Sequence, residues 1–141
     1  MKNAMERCKS SYGISSVVFG DIFLEDLRRY REDKLKQAGL LEIFPLWKVD
    51  TAKLSRIFIA LGFKAIIVSV DSKFLDASFA GRQFDEQFLS DLPAGVDPCG
   101  ENGEFHSFVF DGPIFQNKIS FKKGEVILRG NRFYYCDLKP D

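Results

Sequence analysis

With 141 residues, 45% of them apolar and 28% charged, the chain is long enough for one domain with a real core and short for two. Its 20 basic and 20 acidic residues cancel to a formal charge of zero, which argues against a nucleic-acid partner, because phosphate neutralisation supplies most of such a binder's affinity. Three cysteines without Cys-x-x-Cys spacing and a single histidine exclude a disulfide framework and a zinc cluster and point to the reducing cytosol. The polar start Met1 to Arg7 is no secretion signal, and no stretch reaches the roughly 20 apolar residues of a membrane span.

Residues 2–12 suit a short polar helix. Ile14 to Phe19, β-branched and ending at Gly20-Asp21, predicts a buried strand. Leu24, Leu27, Tyr30, Leu35 and Ala38 recur at helical spacing, with Gly39 as the stop. Leu41 to Leu46 predicts a second strand ending at Trp47. Asp50 or Thr51 caps a helix that runs to Leu61 and ends at Gly62. Ala65 to Val70 is the third predicted strand and Phe84 to Leu92 a further short helix. This strand–helix–strand–helix–strand order predicts an α/β fold with a partial parallel sheet.

The pattern then changes. Ser107 to Phe110, Lys118 to Lys122, Glu125 to Arg129 and Arg132 to Leu138 predict strands. They are separated by turn signals at Asp111-Gly112-Pro113, Lys123-Gly124 and Gly130-Asn131. Close spacing implies antiparallel hairpins. The expected organisation is an incomplete nucleotide-binding-type portion over 1–92 and a β-rich portion over 93–141, packed as one compact unit. The 15 phenylalanines predict a Phe-rich core or docking surface.

Chemistry concentrates in Gly95-Val96-Asp97-Pro98-Cys99-Gly100-Glu101-Asn102-Gly103-Glu104-Phe105-His106-Ser107. Gly100 and Gly103 permit positive φ and close backbone approach to a ligand. Glu101 and Glu104 suit binding of an ammonium group, a ribose hydroxyl or Mg²⁺, or proton transfer. His106 suits a base or a hydrogen-bonding group. Taken alone, the segment also reads as a tight turn with solvated carboxylates, the commoner outcome for an isolated motif. Elsewhere, Asp21 reads equally as a ligand group at a strand's carboxyl end or as a helix cap. Arg82 is expected to reach the glutamate loop as an ion pair. Cys99 is expected to be a spectator.

Several segments in order resemble the signature of the diphthine–ammonia ligase family. They are Gly20-Asp21-Ile22 with Arg28, Pro45-Leu46-Trp47 with Asp50, Gly81-Arg82 with Asp85, and Gly100-Glu101 with Gly103-Glu104-Phe105. The segment Phe108-Val109-Phe110-Asp111-Gly112-Pro113-Ile114-Phe115 follows them. That family belongs to the N-type ATP pyrophosphatases of the adenine nucleotide α-hydrolase-like superfamily, and the Cys-Gly-Glu-Asn-Gly-Glu-Phe-His form resembles its bacterial branch. The resemblance implies ATP- and Mg²⁺-dependent adenylation of a carboxylate followed by amidation. It implies catalytic roles for Glu101, Glu104 and His106, and substrate contacts from Gly100, Asn102, Gly103, Ser107 and Arg82. Gly20, Asp21 and Arg28 would lie on the nucleotide side, with no bound metal of the chain's own.

Four departures qualify it. The family's Ser-Gly-Gly-x-Asp-Ser phosphate loop has no counterpart here. Asn102 replaces a glycine and Ser107 a threonine. His106 replaces a glutamate, which changes the charge offered to a substrate. The sequence thus reads as a C-terminal portion, expected not to bind ATP tightly alone, whose phosphate loop comes from a missing N-terminal segment or a partner chain. Two other readings stay open. One is a non-catalytic module for a small molecule or peptide. The other is an interaction domain that dimerises through an open sheet edge or the Phe-rich surface.

Overall fold

A computed structural model describes residues 2–141 of the chain, with Lys2–Glu6 as backbone only. The chain forms two units, Met1–Val49 and Asp50–Asp141.

The first unit contains α1 (Lys2–Tyr12), β1 (Ser16–Val18), α2 (Glu25–Ala38) and β2 (Leu41–Ile43). β1 and β2 pair in parallel, Ser16 opposite Leu41 and Val18 opposite Ile43, with α2 as the connection that parallel pairing requires. The predicted stop of α2 is present. Gly39 is left-handed (φ 62°, ψ 41°), and the Leu40 N–H returns to the Leu35 carbonyl at 3.1 Å, closing the helix in a Schellman-type turn. The Lys9 ammonium donates to the carbonyls of Ala38 (3.0 Å) and Gly39 (3.1 Å), placing a cation at the negative end of the helix. Leu35 and Leu40 are buried. The small sheet nonetheless shows apolar surface: Val18 is 62%, Leu41 68% and Ile43 45% exposed.

The second unit runs α3 (Thr51–Ala60), β3 (Lys64–Asp71), a 3-10 turn (Ala77–Phe79), α4 (Glu86–Asp91), β4 (Phe105–Asp111), β5 (Phe121–Arg129) and β6 (Phe133–Pro140). Asp50 and Asp85 cap α3 and α4 by accepting from the N–H groups of Lys53 (2.7 Å) and Phe88 (2.8 Å). The sheet has the order β4-β3-β6-β5 and is antiparallel throughout.

Mixed α/β architecture with a small parallel sheet and a β-rich antiparallel part is therefore what the chain adopts. The assignment of the third strand changes. β3 was expected to extend the parallel sheet, and it is instead central in the antiparallel one. Its continuous apolar run is a consequence of burial on both faces, and a central strand is buried whichever way its neighbours run. β6 pairs with β3 only at Ser69–Asp71. Beyond that point residues 81–84 take its place: the Gly81 N–H bonds to Ile67 (2.7 Å), the Ile67 N–H to Arg82 (2.8 Å) and the Phe84 N–H to Ala65 (2.8 Å).

A second correction concerns Lys123-Gly124. These residues were expected to form a turn between two strands. The segment is one strand with a bulge, the register shifting between Lys123 and Val126. A Cβ on Gly124 would stand 3.2 Å from both Cβ and the carbonyl oxygen of Asp137, so glycine here marks a close backbone approach. The Gly130-Asn131 turn forms as expected, both residues having positive φ (59° and 52°).

The core lies between the sheet and the α3–α4 layer. Phe88 is fully buried, and its ring centroid stands 5.3 Å from that of Phe105, 5.5 Å from Phe84 and 5.9 Å from Phe79. The phenylalanine excess is thus spent partly on an edge-to-face aromatic cluster directly beneath the strand that follows the glutamate loop.

Candidate functional site

The loop from Asp97 to Glu104 is organised by its own carboxylates. Glu104 is 1% exposed. It accepts from the backbone N–H of Asp97 (3.1 Å) and of Asn102 (3.0 Å), and from the Asn102 side-chain amide (3.0 Å). One Asp97 oxygen accepts from the N–H groups of Cys99 (2.9 Å) and Glu101 (3.2 Å). Buried carboxylates need such donors, since an unpaired one is costly to desolvate. The Glu104 backbone contributes as well: its carbonyl accepts from the Asp71 N–H at 2.8 Å, tying the loop to the end of β3.

The glycines have separable roles. Gly100 has φ 68°, and a Cβ there would meet the Phe105 carbonyl at 2.9 Å and the Phe105 ring at 3.2 Å, so both conformation and space require glycine. Gly103 has φ 86° with nothing within 4 Å of a Cβ, so only its conformation does. Cys99 donates to the Thr51 carbonyl at 3.4 Å. Burial, and then the Asp97 and Glu101 charges, push its thiol up to about 12, which leaves it a thiol at neutral pH.

His106 and Ser107 stand exposed on β4 immediately after the loop. His106 is opposite Ser69, which in turn is opposite Tyr135, so the three side chains share the sheet face away from the aromatic core. An open groove of about 530 Å³ is lined by Val68, Ser107, Phe108, Phe121, Tyr135 and Leu138, among others. The groove was not legible in the sequence. Alternation places Phe108 and Phe110 on one face of β4, but only the tertiary fold brings Phe121 beside them, at centroid distances of 6.2 and 5.2 Å, where the Ile119 N–H bonds the Phe110 carbonyl at 2.8 Å.

Arg82 does not reach the glutamate loop. Its guanidinium pairs with Asp91 at 2.6 Å and lies over the rings of Phe79 and Phe88 (5.2 and 5.7 Å). The reason is local: residues 81–84 pair along β3, which aims Arg82 at the last turn of α4. The Arg82 hydrogen bond, then that of Gln87, hold the Asp91 carboxyl below its ordinary range.

The residues assigned to a nucleotide are already partnered within the first unit. Asp21, 7% exposed, takes a 3.1 Å hydrogen bond from an Arg31 terminal nitrogen. The Arg31 Nε also approaches it at 2.6 Å, off the hydrogen-bond axis. Arg28 bonds Glu32 at 2.6 Å, and its guanidinium centre is 4.8 Å from the Phe44 centroid and 4.5 Å from that of Trp47. The Gly20 backbone does not have positive φ. A triphosphate needs converging donors with unspent positive charge. These residues do not fit that group. Among the described residues no cluster of three or more His, Cys, Asp or Glu has the geometry to hold a metal ion, and no helix is long and apolar enough to cross a membrane.

Residues 50–139 match the diphthamide synthase C-terminal domain family, a span that begins where the second unit begins. The chain is similar to diphthine–ammonia ligases of Homo sapiens (33% identical over 111 residues, covering 74% of this chain and 42% of the relative) and of Mus musculus (34% over 126, covering 85% and 47%). It is similar to that of Danio rerio as well (30% over 136, covering 90% and 52%). The chain spans about half the length of these relatives.

Proposed function

The chain belongs to the diphthamide synthase C-terminal domain family, and from that premise we propose that it supplies the acceptor side of an ATP-dependent ligase that converts a carboxylate to an amide. The observation that carries this reading is the preorganised loop. From Gly95 to His106 the sequence holds three carboxylates, Asp97, Glu101 and Glu104, and no lysine or arginine. Two of them fix the backbone, so the loop offers a rigid negative potential with no reorganisation cost. Such a surface suits an acceptor with a cationic group beside its carboxylate. The relatives' name supplies a candidate of that class, diphthine, with ammonia as the amine.

Roles divide accordingly. Glu104 and Asp97 position the loop. Glu101 faces the acceptor's cationic group, and Gly100, Asn102 and Gly103 present backbone and amide groups to it. His106 accepts the proton that ammonium loses to give the ammonia nucleophile, and Ser107 adds a hydrogen-bonding group at the mouth of the apolar groove. ATP with Mg²⁺ supplies activation of the carboxylate in this family. The residues of the present chain do not fit its phosphates, so a phosphate-loop segment or partner chain is proposed to hold them, against the exposed apolar sheet formed by β1 and β2.

The test is an NMR titration of the isolated chain with a diphthine-bearing peptide. Amide shifts should concentrate in residues 97–107, and Glu101→Gln should weaken binding roughly tenfold, as removing one partner of a charge pair does. Shifts confined to other regions, or none at all, would sink the reading.

A further inference from the structure

We propose that β5 is a homodimerisation edge, at which a second copy of this chain adds antiparallel about a two-fold axis at Ile127. In the sheet order β4-β3-β6-β5, β5 is terminal, and its strand partner among the described residues is β6. One side of its backbone is therefore unpaired. Val126, Ile127 and Leu128 are exposed at 41%, 41% and 45%. Proteins blunt such edges with bulges, prolines or inward charges. Here the bulge lies mid-strand, between Lys123 and Val126, and leaves Val126 to Arg129 as a regular edge with Glu125 at its border. The stretch Glu125 to Arg129 has no proline and pairs regularly with β6 from Val126 onward.

The sequence of that stretch selects the partner. Side chains alternate faces, so Glu125, Ile127 and Arg129 share one face, and Val126 and Leu128 the other. A two-fold axis perpendicular to the sheet preserves faces, which allows only registers centred on a residue. Centred on Ile127, the pairing sets Glu125 opposite the second copy's Arg129 at both ends. It also sets Val126 opposite Leu128 twice, and Ile127 opposite itself. Centred on Val126, it would oppose Lys123 to Arg129, two like charges. Centred on Leu128, it would set Arg129 against Ile127. Only the Ile127 register complements both charge and apolarity, and cross-strand pairs of these kinds are what stabilise a sheet. Arg129 is poised for the role. Its side chain is 56% exposed while resting against Asp137 at 3.2 Å, and its guanidinium lies over the Tyr135 ring at 5.3 Å.

Sedimentation equilibrium of the full chain, with a charge-swap series, tests both edge and register. The wild type should dimerise reversibly. E125R and R129E should each weaken the dimer roughly tenfold, because each turns two attractive cross-strand pairs into repulsive ones. The double variant E125R/R129E should restore the dissociation constant to within about threefold of wild type, since both pairs re-form in reverse. E125R leaves the Arg129–Asp137 contact in place, and melting curves at monomeric dilution establish that each variant is folded. A wild-type chain that stays monomeric at its highest soluble concentration overturns the proposal. So do folded single variants that dimerise as tightly as wild type, and a double variant as weak as the singles. The inference concerns a surface separate from the glutamate loop and stands apart from the proposed ligase function.

Discussion

A carboxylate that is 1% exposed needs hydrogen-bond donors around it, and Glu104 has them in the amides of Asp97 and Asn102. Glu104→Gln replaces one acceptor oxygen with an NH₂ group that must face a donor. The loss should be about 1–3 kcal/mol of stability, measured by urea unfolding, as for a buried group left unsatisfied. A change within error would mean the loop is not built on this side chain. The sequence singled out Glu104 through the Gly-x-x-Gly-Glu segment before a strand and through the family resemblance. It did not separate a loop-holding carboxylate from a reacting one, because burial depends on the tertiary neighbours. Asp71 makes the same point further along. Its carboxyl takes two bonds from Arg132, at 2.9 and 2.6 Å, from a residue 61 positions away. The Arg132 hydrogen bond is the main reason its pKa lies below the ordinary 3.8. A depressed carboxyl pKa stabilises the fold above its unfolded value of about 4, and that contribution is lost as pH falls through the folded value. Arg132→Gln should therefore be destabilised at neutral pH, with the gap to wild type closing below about pH 4. A gap independent of pH across acid unfolding curves would show that Arg132 acts by packing alone.

At the scale of elements, helices were the most legible. Their stops and caps are local: Gly39 is left-handed where α2 ends, and Asp50 and Asp85 cap the helices they precede. Strands were legible as strands but not as partners. β3 carries an apolar run that fits any central strand, so its direction relative to neighbours had to come from three dimensions. Gly124 signals a break in regular structure, and a turn and a bulge both satisfy that signal. Arg82 was misassigned for a related reason, since its direction follows from the pairing of residues 81–84 along β3. The α4 helix is short, and its value lies in Phe88, which joins it to Phe105 at the base of the loop. Phe88→Ala should cost about 3–5 kcal/mol in chemical denaturation, the range for deleting a fully buried aromatic ring. A cost under about 1 kcal/mol would mean the cluster repacks and does not anchor the loop's exit strand.

On the scale of the whole molecule, the two units divide the labour unequally. The second, Asp50–Asp141, coincides with the matched family domain and carries the glutamate loop, His106 and the groove. The first contributes a two-stranded parallel sheet with exposed Val18, Leu41 and Ile43 and cations whose charge is already met by Asp21 and Glu32. The ordered family motifs run from Gly20 to Phe115 across both units without a phosphate loop, and they carry no signal for a boundary at Asp50. They did not reveal that Arg28 is held between Phe44 and Trp47, which depends on packing rather than spacing. The central proposal is that this chain offers an acceptor surface, and its described residues form no triphosphate cradle. Isothermal titration of the chain with Mg·ATP tests it most directly. The account predicts no saturable heat, and saturable binding in the micromolar range would contradict it.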